Sequence, residues 1–152
     1  MSTVTWASHT PLFDRLCAPA PTSASARLLQ GAELRASIAR DLERLLNTRN
    51  GLTVGESFGR EATVLTFGLP DTLALDTQAD GGLKVLTQVV QRAITQFEPR
   101  LREVSVQAQP GESCTDRAQL VITAAVTLGR QMQRVDFELV IDAAGMPLSP
   151  VA

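Results

Sequence analysis

Acidic side chains are the first candidates for chemistry in this sequence, because two carboxyl groups facing a cleft can cleave a glycosidic bond. The candidates lie in a glycine-containing middle stretch and are Glu56, Glu61, Asp71, Asp76 and Asp80. Any chain with 16 acidic residues supplies such pairs, however. Sugar clefts also usually carry aromatic platforms, whereas tyrosine is absent here and aromatic residues make up only 4%. Glycosidase activity is therefore disfavoured.

Other catalytic and metal-binding arrangements find little support. The single histidine, His9, lies in an N-terminal stretch expected to be loose, whereas a catalytic base must be held rigidly beside its nucleophile. The glycines of residues 51–68 match neither a phosphate-binding loop nor a dinucleotide fingerprint. Cys17 and Cys114 are far apart and have no metal-ligand or redox spacing. We expect two free thiols, no metal and no cofactor.

The segment Phe97-Glu98-Pro99-Arg100-Leu101 is the most informative short motif, because opposite charges flank a proline where a helix should end. One interpretation is a structural junction in which Pro99 stops the helix and Glu98 or Arg100 caps free backbone groups or forms a surface ion pair. Such an exposed pair contributes about 0–1 kcal/mol. The other is a rigid, charged corner presented to another protein, where the arginine could bind a carboxylate with both arms of its guanidinium. Composition alone favours the junction.

The segment Leu45-Leu46-Asn47-Thr48-Arg49 is similarly ambiguous. Its leucines are expected in the core. The three residues that follow are expected to end a helix, where the arginine suits the negative end of the helix dipole. An interface role for these three residues is the alternative.

Charge and hydropathy limit the partners and the compartment. The net charge is -2, from 14 basic and 16 acidic residues, and Lys84 is the only lysine. Nucleic-acid binding is disfavoured, since it usually requires clustered basic residues. Residues 1–10 lack the features of a signal peptide, and no apolar run approaches the roughly 18–20 residues that span a bilayer. These features predict a soluble, cytoplasmic protein.

Two amphipathic helices are predicted by apolar residues recurring every three or four positions. They span 32–48 and 82–98, and Asp80 is expected to cap the second helix. Residues 51–80 between them are expected to be mostly irregular. Within that stretch we expect a short extended segment at 63–67 and a turn at Gly68-Leu69-Pro70-Asp71.

The C-terminal third alternates apolar and polar residues, which predicts three antiparallel strands. The strands include 104–108, 120–128 and 135–141. Because helices precede strands, the predicted class is α+β, with an N-terminal arm and two main helices packed on a mainly antiparallel sheet that ends in a three-strand meander. We expect a flexible arm at 1–30 with a docking element at 12–16, one domain at 31–142, and a tail at 143–152.

Four motifs occur in a fixed order before these strands. They are Leu12-Phe13-Asp14-Arg15-Leu16, then residues 45–49, then residues 68–71, then residues 97–101. Their order and spacing resemble the TssE family, the baseplate wedge component of bacterial type VI secretion systems, which is related to the wedge protein of contractile phage tails. The resemblance covers about residues 11–142.

The resemblance implies a non-catalytic part of the baseplate wedge that helps to initiate and anchor the contractile sheath. It implies that Glu98, Pro99 and Arg100 bind partners. It also implies a fold like the domain through which sheath subunits exchange strands, so that a sheath strand could add to an open sheet edge. Further structural or interface positions are Leu12, Phe13, Leu16, Asn47, Thr48, Arg49, Gly68, Leu69, Pro70 and Asp71.

The implied partners are the wedge proteins TssF, TssG and TssK and the sheath proteins TssB and TssC. The implied location is the cytoplasm, at a baseplate docked near the inner membrane, without insertion into it. Relatives are sometimes labelled lysozyme-like. A peptidoglycan hydrolase and a regulatory adaptor with the same fold therefore remain as alternatives.

Overall fold

The computed structural model describes residues 8–17, 28–29, 31–72, 75, 80–110, 118–128 and 131–141. The first elements are short. Strand β1 (Ser8–His9) pairs antiparallel with β2 (Leu28–Leu29), and helix α1 (Leu12–Cys17) lies between them in sequence. Most of the predicted arm, and the whole predicted tail, lie outside the described residues.

Two long helices follow the predicted periodicity. Helix α2 spans Gly31–Asn47 and helix α4 spans Asp80–Phe97. The apolar stripe of α2 is buried, with Ile38 and Leu42 fully inaccessible to solvent. The prediction that Asp80 caps the second helix is wrong, because the helix already includes Asp80 as its first residue.

The stretch between the two long helices is more regular than predicted. It contains β3 (Arg49–Thr53), α3 (Val54–Gly59), a 3₁₀ turn (Val64–Thr66) and β4 (Leu69–Asp71). Strand β3 runs parallel to β4. Helix α3 forms because Thr53 and Glu56 cap each other's backbone N–H groups.

The predicted extended segment at 63–67 is also wrong. The Thr63 backbone N–H donates to Thr66 Oγ1 at 2.8 Å, and the Thr66 N–H donates to the Thr63 carbonyl oxygen at 3.1 Å. Both bonds close the chain into a tight turn. A threonine side chain thus competes with strand formation here.

The C-terminal meander is confirmed. Strands β5 (Leu101–Pro110), β6 (Ala118–Leu128) and β7 (Gln131–Ile141) form an antiparallel sheet in the order β5-β6-β7. The β6–β7 register is continuous over the whole length of both strands. The β5–β6 register shifts between Arg102 and Ser105, where Glu103 has a φ of 51°.

One hydrophobic core lies between the helices and the sheet. Ile122 pairs with Val106 on one side and with Phe137 on the other, and all three side chains are buried. They belong to the same cluster as the buried stripes of α2 and α4. The predicted α+β class, with helices packed on an antiparallel sheet, is confirmed.

Candidate interaction site

The corner between α4 and β5 is built from Glu98, Pro99 and Arg100. Helix α4 ends here, with the Glu98 N–H donating to the Ile94 carbonyl oxygen at 2.9 Å. The Leu101 N–H then donates to the Glu98 carbonyl oxygen at 3.1 Å, which closes a turn that leads into β5. Pro99 is exposed on this turn, and its missing N–H helps to end the helix.

The two charged side chains of the corner point towards the protein itself. The Arg100 guanidinium donates through Nε to Glu98 Oε1 and through Nη2 to Glu98 Oε2, each at 2.6 Å. Nη2 also lies 2.6 Å from Asp41 Oδ2, and Nη1 donates to Ser37 Oγ at 3.2 Å. Arg100 therefore joins the corner to helix α2.

This ion pair is largely buried, unlike the surface pair that is one form of the junction interpretation. The other form is present, because Glu98 Oε1 accepts from the Arg100 backbone N–H at 3.3 Å. The side chain of Glu98 is 6% exposed and that of Arg100 is 16% exposed. Burial lowers the pKa of Arg100, but the hydrogen bonds and charges of Glu98 and Asp41 outweigh it, so the pKa is raised. Removing one partner would leave a buried charge uncompensated, which is strongly destabilising, so the two charges stabilise the corner as a pair.

Helix α1 is attached to the same network through Asp14. Its carboxylate accepts from Arg40 Nη2 at 3.1 Å and from Arg44 Nη1 and Nη2 at 3.3 Å. Arg44 also donates to Asp41 Oδ1 at 2.9 Å. Burial raises the pKa of Asp14, but the two arginines outweigh this effect and hold the pKa below its usual value.

The C-terminal end of α2 is closed by the residues predicted to end it. Thr48 Oγ1 donates to the Arg44 carbonyl oxygen and Arg49 Nη1 to the Leu46 carbonyl oxygen, both at 2.7 Å. Asn47 is exposed beside them. Burial lowers the pKa of Arg49 more than the charge of Asp71 raises it.

Gly68 allows β4 to lie against this helix end. Its φ is 105°, and a Cβ atom at this position would lie 2.6 Å from the Thr48 carbonyl oxygen. That oxygen accepts from the Leu69 N–H at 2.9 Å. The predicted turn is instead the strand β4, in which Leu69 and Pro70 are buried and Asp71 is exposed.

The leucines of α1 point away from the ion pairs. Leu12 is 66% exposed and Leu16 is 72% exposed. Phe13 lies in the same helix, but its side chain is outside the described residues. The docking element at 12–16 is therefore held to the body through its aspartate and leaves two leucines in solvent.

The carboxylates considered for hydrolysis have other surroundings. Glu56 accepts hydrogen bonds from the Thr53 N–H and Oγ1 at 2.9 and 2.8 Å, and these bonds lower its pKa. A general acid needs a raised pKa. Glu61 and Asp71 are exposed, Asp80 begins α4, and Asp76 lies outside the described residues.

Within the described ranges, no group of three or more His, Cys, Asp and Glu residues is placed to hold a metal ion. His9 is exposed in β1, Cys17 ends α1, and Cys114 lies in the undescribed 111–117 segment. None of the described helices is long and apolar enough to cross a membrane.

Sequence reasoning missed Asp14, Ser37, Asp41 and Arg44 as members of the corner network. A signal for the last three was present, because they lie at steps of four and three along α2 and form a polar stripe. Asp14 had no such signal, since it lies 26 positions from Arg40.

A family model described as baseplate wedge protein gp25 matches residues 32–132, which is more than half of the sequence. The chain belongs to this family of baseplate wedge proteins. The predicted resemblance to the wedge proteins of the TssE family is thereby confirmed. The matched range includes α2, the corner at residues 98–100 and β6, and ends at the start of β7.

Solved structures with a similar backbone exist. A chain from the baseplate complex of the type VI secretion system aligns with a TM-score of 0.48 and 21% identity, over 72% of this chain and 94% of that chain. A Geobacter sulfurreducens protein provisionally named a tail lysozyme aligns with a TM-score of 0.48 and 20% identity, over 82% of this chain and 97% of that chain. No curated protein matches the sequence.

Proposed function

We propose that this wedge-family protein is a non-catalytic component of a type VI secretion baseplate, where it initiates and anchors the contractile sheath through the outer edge of β7. The membership in a family of structural baseplate proteins supports the setting. The sheath partners are then TssB and TssC, and the wedge partners are TssF, TssG and TssK. The assembly is cytoplasmic and is docked near the inner membrane.

The observation that carries this proposal is the form of β7. The strand pairs with β6 in continuous register over 11 residues, and within the described ranges no strand pairs with its opposite edge. Such an edge presents unpaired N–H and C=O groups to which another strand can add. Strand addition joins an extended segment to such an edge through main-chain hydrogen bonds.

The outer edge of β5 is less suited to strand addition. The β5 backbone is irregular between Arg102 and Ser105, and Gln91 Nε2 donates to the Val104 carbonyl oxygen at 2.8 Å. Irregularities of this kind twist an edge and protect it from pairing. Helix α4, which carries Gln91, also packs along β5.

The corner of Glu98, Pro99 and Arg100 has two parts in this proposal. Glu98 and Arg100 fix the direction in which β5 leaves α4, because they connect the turn to Asp41 of α2. Pro99 is the exposed residue that contacts a partner. Partner binding at the corner then depends on the ion pairs that hold Pro99 in place.

Capture of co-expressed TssB and TssC by the tagged chain tests the role of β7. Gln133→Pro and Arg134→Pro each remove one N–H, and consecutive N–H groups point to opposite edges of a strand. One of the two variants therefore removes an N–H from the outer edge, and the other removes an N–H that bonds to β6. The outer-edge variant should keep its thermal stability and capture about tenfold less sheath protein. The other variant should have a lower melting temperature.

Amide hydrogen exchange on the wild-type chain tests the same edge without a substitution. Alternate amides of β7, those not bonded to β6, should become protected when sheath proteins bind. Sheath capture without new protection in β7 would contradict strand addition at this edge. Equal sheath capture by wild type and by a folded outer-edge proline variant would contradict it as well.

A further inference from the structure

The 3₁₀ turn at Val64–Thr66 presents two apolar side chains almost fully to solvent. Val64 is 93% exposed and Leu65 is 89% exposed, more than any other large apolar residue in the described part of the chain. Isolated apolar residues are common on protein surfaces. Two consecutive residues with this exposure form a protruding apolar tip, and exposed apolar clusters often mark interaction sites.

Hydrogen bonds at its base hold this tip in one conformation. Thr66 Oγ1 accepts from the Thr63 N–H at 2.8 Å and donates to the Glu61 carbonyl oxygen at 3.0 Å. Asn50 Nδ2 donates to the Thr66 carbonyl oxygen at 3.0 Å, which ties the turn to β3. A tip already fixed in its bound shape loses little conformational entropy when a partner covers it.

A small cleft of about 20 Å³ lies beside the base of the tip, with Arg60, Thr66, Arg92 and Phe97 in its lining. Arg92 donates through Nε to the Ser57 carbonyl oxygen at 3.2 Å and through Nη2 to the Arg60 carbonyl oxygen at 3.1 Å. These two bonds orient the guanidinium. The volume is enough for one water-sized group, such as a carboxylate oxygen.

Within the described ranges, the two arginines of the cleft are not taken up by ion pairs like those of the corner. Among the described residues, neither Arg60 nor Arg92 forms a salt bridge. The charge of Arg60 contributes to lowering the pKa of Glu56, but the Glu56 carboxylate already caps α3 by accepting from the Thr53 N–H. Glu61 is exposed in the same loop. The cleft therefore has unused capacity to bind an anion.

We propose that the tip and this cleft together form a binding surface for a partner protein, separate from the sheath edge of β7. The partner segment would place an apolar pocket over Val64 and Leu65 and a carboxylate against Arg92 and Arg60. Arginine suits this role because its guanidinium binds a carboxylate with paired hydrogen bonds. An anionic membrane is a poorer match, since it attracts clusters of about four to eight basic residues, whereas this cleft has two arginines.

Substitutions at the tip test the proposal in the intact baseplate complex, purified from the native host through a tag on this chain. The double variant Val64→Ser and Leu65→Ser should recover at least about tenfold less of the partner, as expected for loss of an apolar anchor. The matched double variant Val64→Ile and Leu65→Met keeps the surface apolar and should recover the wild-type amount. Thermal unfolding should be unchanged in both, since neither residue belongs to the core.

Charge reversal tests the cleft. Arg60→Glu should reduce partner recovery severalfold, and Arg35→Glu, at an exposed position of α2, should leave it unchanged. A photo-crosslinking amino acid at position 65 then identifies the partner segment. We expect a crosslink to a sequence with apolar residues next to an aspartate or glutamate, and reversal of that acid to arginine should restore binding to Arg60→Glu.

Several results would overturn the proposal. One is that the double serine variant recovers as much partner as wild type. The other is that crosslinks from position 65 reach only lipid or this chain itself. Failure of the sheath proposal would look different. In that case, proline substitutions in β7 would leave sheath capture unchanged, while the crosslink from position 65 to an acidic partner segment would still form.

Discussion

At the scale of single residues, Arg100 joins two elements of the candidate site. Its guanidinium connects the turn after α4 to Asp41 and Ser37 of α2, while Glu98 neutralises it from the same turn. The charged side chains of the corner thus face the protein itself, and under the proposed function the corner acts on partners through the position of Pro99. Loss of function on substitution of Arg100 can then arise because the corner shifts, as well as because a contact with a partner is lost.

Arg100→Ala should lower the free energy of unfolding by about 3 kcal/mol, because it leaves the buried carboxylate of Glu98 without its cation and removes one of the two arginines that pair with Asp41. Arg100→Lys should be intermediate, since one ammonium group cannot reproduce the planar fork. Urea denaturation measures both, with Arg35→Ala as the control at an exposed arginine. A midpoint for Arg100→Ala equal to that of the control would show that the network contributes nothing to stability.

Gly68 provides a second test at this scale. Gly68→Ala should destabilise the protein by about 1–3 kcal/mol, because the residue has a φ of 105° and the new Cβ would meet the Thr48 carbonyl oxygen. Gly55→Ala, in α3, has open space around its Cβ and should be neutral or slightly stabilising. Thermal unfolding of the two variants compares them directly. Equal melting temperatures would mean that β4 can move away from the helix end.

At the scale of elements, α1 differs from the long helices in how it is attached. Helices α2 and α4 bury apolar stripes in the common core. The described contacts of the α1 side chains with α2 are instead those of Asp14, which accepts from the Ser37 hydroxyl and pairs with two arginines, and Leu12 and Leu16 remain exposed. An element held by ion pairs should respond to pH and salt in a way that the core does not.

The attachment of α1 should weaken in acid. The folded-state pKa of Asp14 lies below its value in the unfolded chain, which is about 3.9. Its ion pairs therefore contribute fully above that value and are lost as the pH falls through the folded-state pKa. Protection of α1 amides in hydrogen exchange should decrease over this range, and Asp14→Asn should show low protection already at neutral pH. Protection of α1 in Asp14→Asn equal to that of wild type would contradict the ionic attachment.

The sequence predicts some of these elements well, for physical reasons. The stripe of α2 and the alternation of β6 and β7 are local patterns that the core then buries. The parallel pairing of β3 with β4 leaves no local pattern, because it depends on the Leu69 N–H reaching the Thr48 carbonyl oxygen. The corner motif was recognisable from its residue types, but its inward orientation depends on Asp41, 59 positions away from Arg100.

At the scale of the whole molecule, the proposed contacts fall on separate elements. The sheath edge is β7, at the C-terminal end of the meander, whereas the apolar tip belongs to the turn between α3 and β4. An adaptor that starts a sheath on a baseplate needs two such surfaces, one for each assembly. Substitutions at independent surfaces should then have independent effects.

The double serine variant at Val64 and Leu65 should lose its baseplate partner and still capture TssB and TssC when they are co-expressed. An outer-edge proline variant of β7 should lose sheath capture and remain in the baseplate. Combining both changes should remove both interactions without further loss of stability, since Val64 and Leu65 lie outside the core and an outer-edge N–H of β7 makes no bond to β6. Quantitative recovery of each partner from the four strains, including wild type, measures this. Simultaneous loss of both partners from either single variant would show that the two surfaces act as one, and that the chain does not bridge sheath and baseplate in the manner proposed.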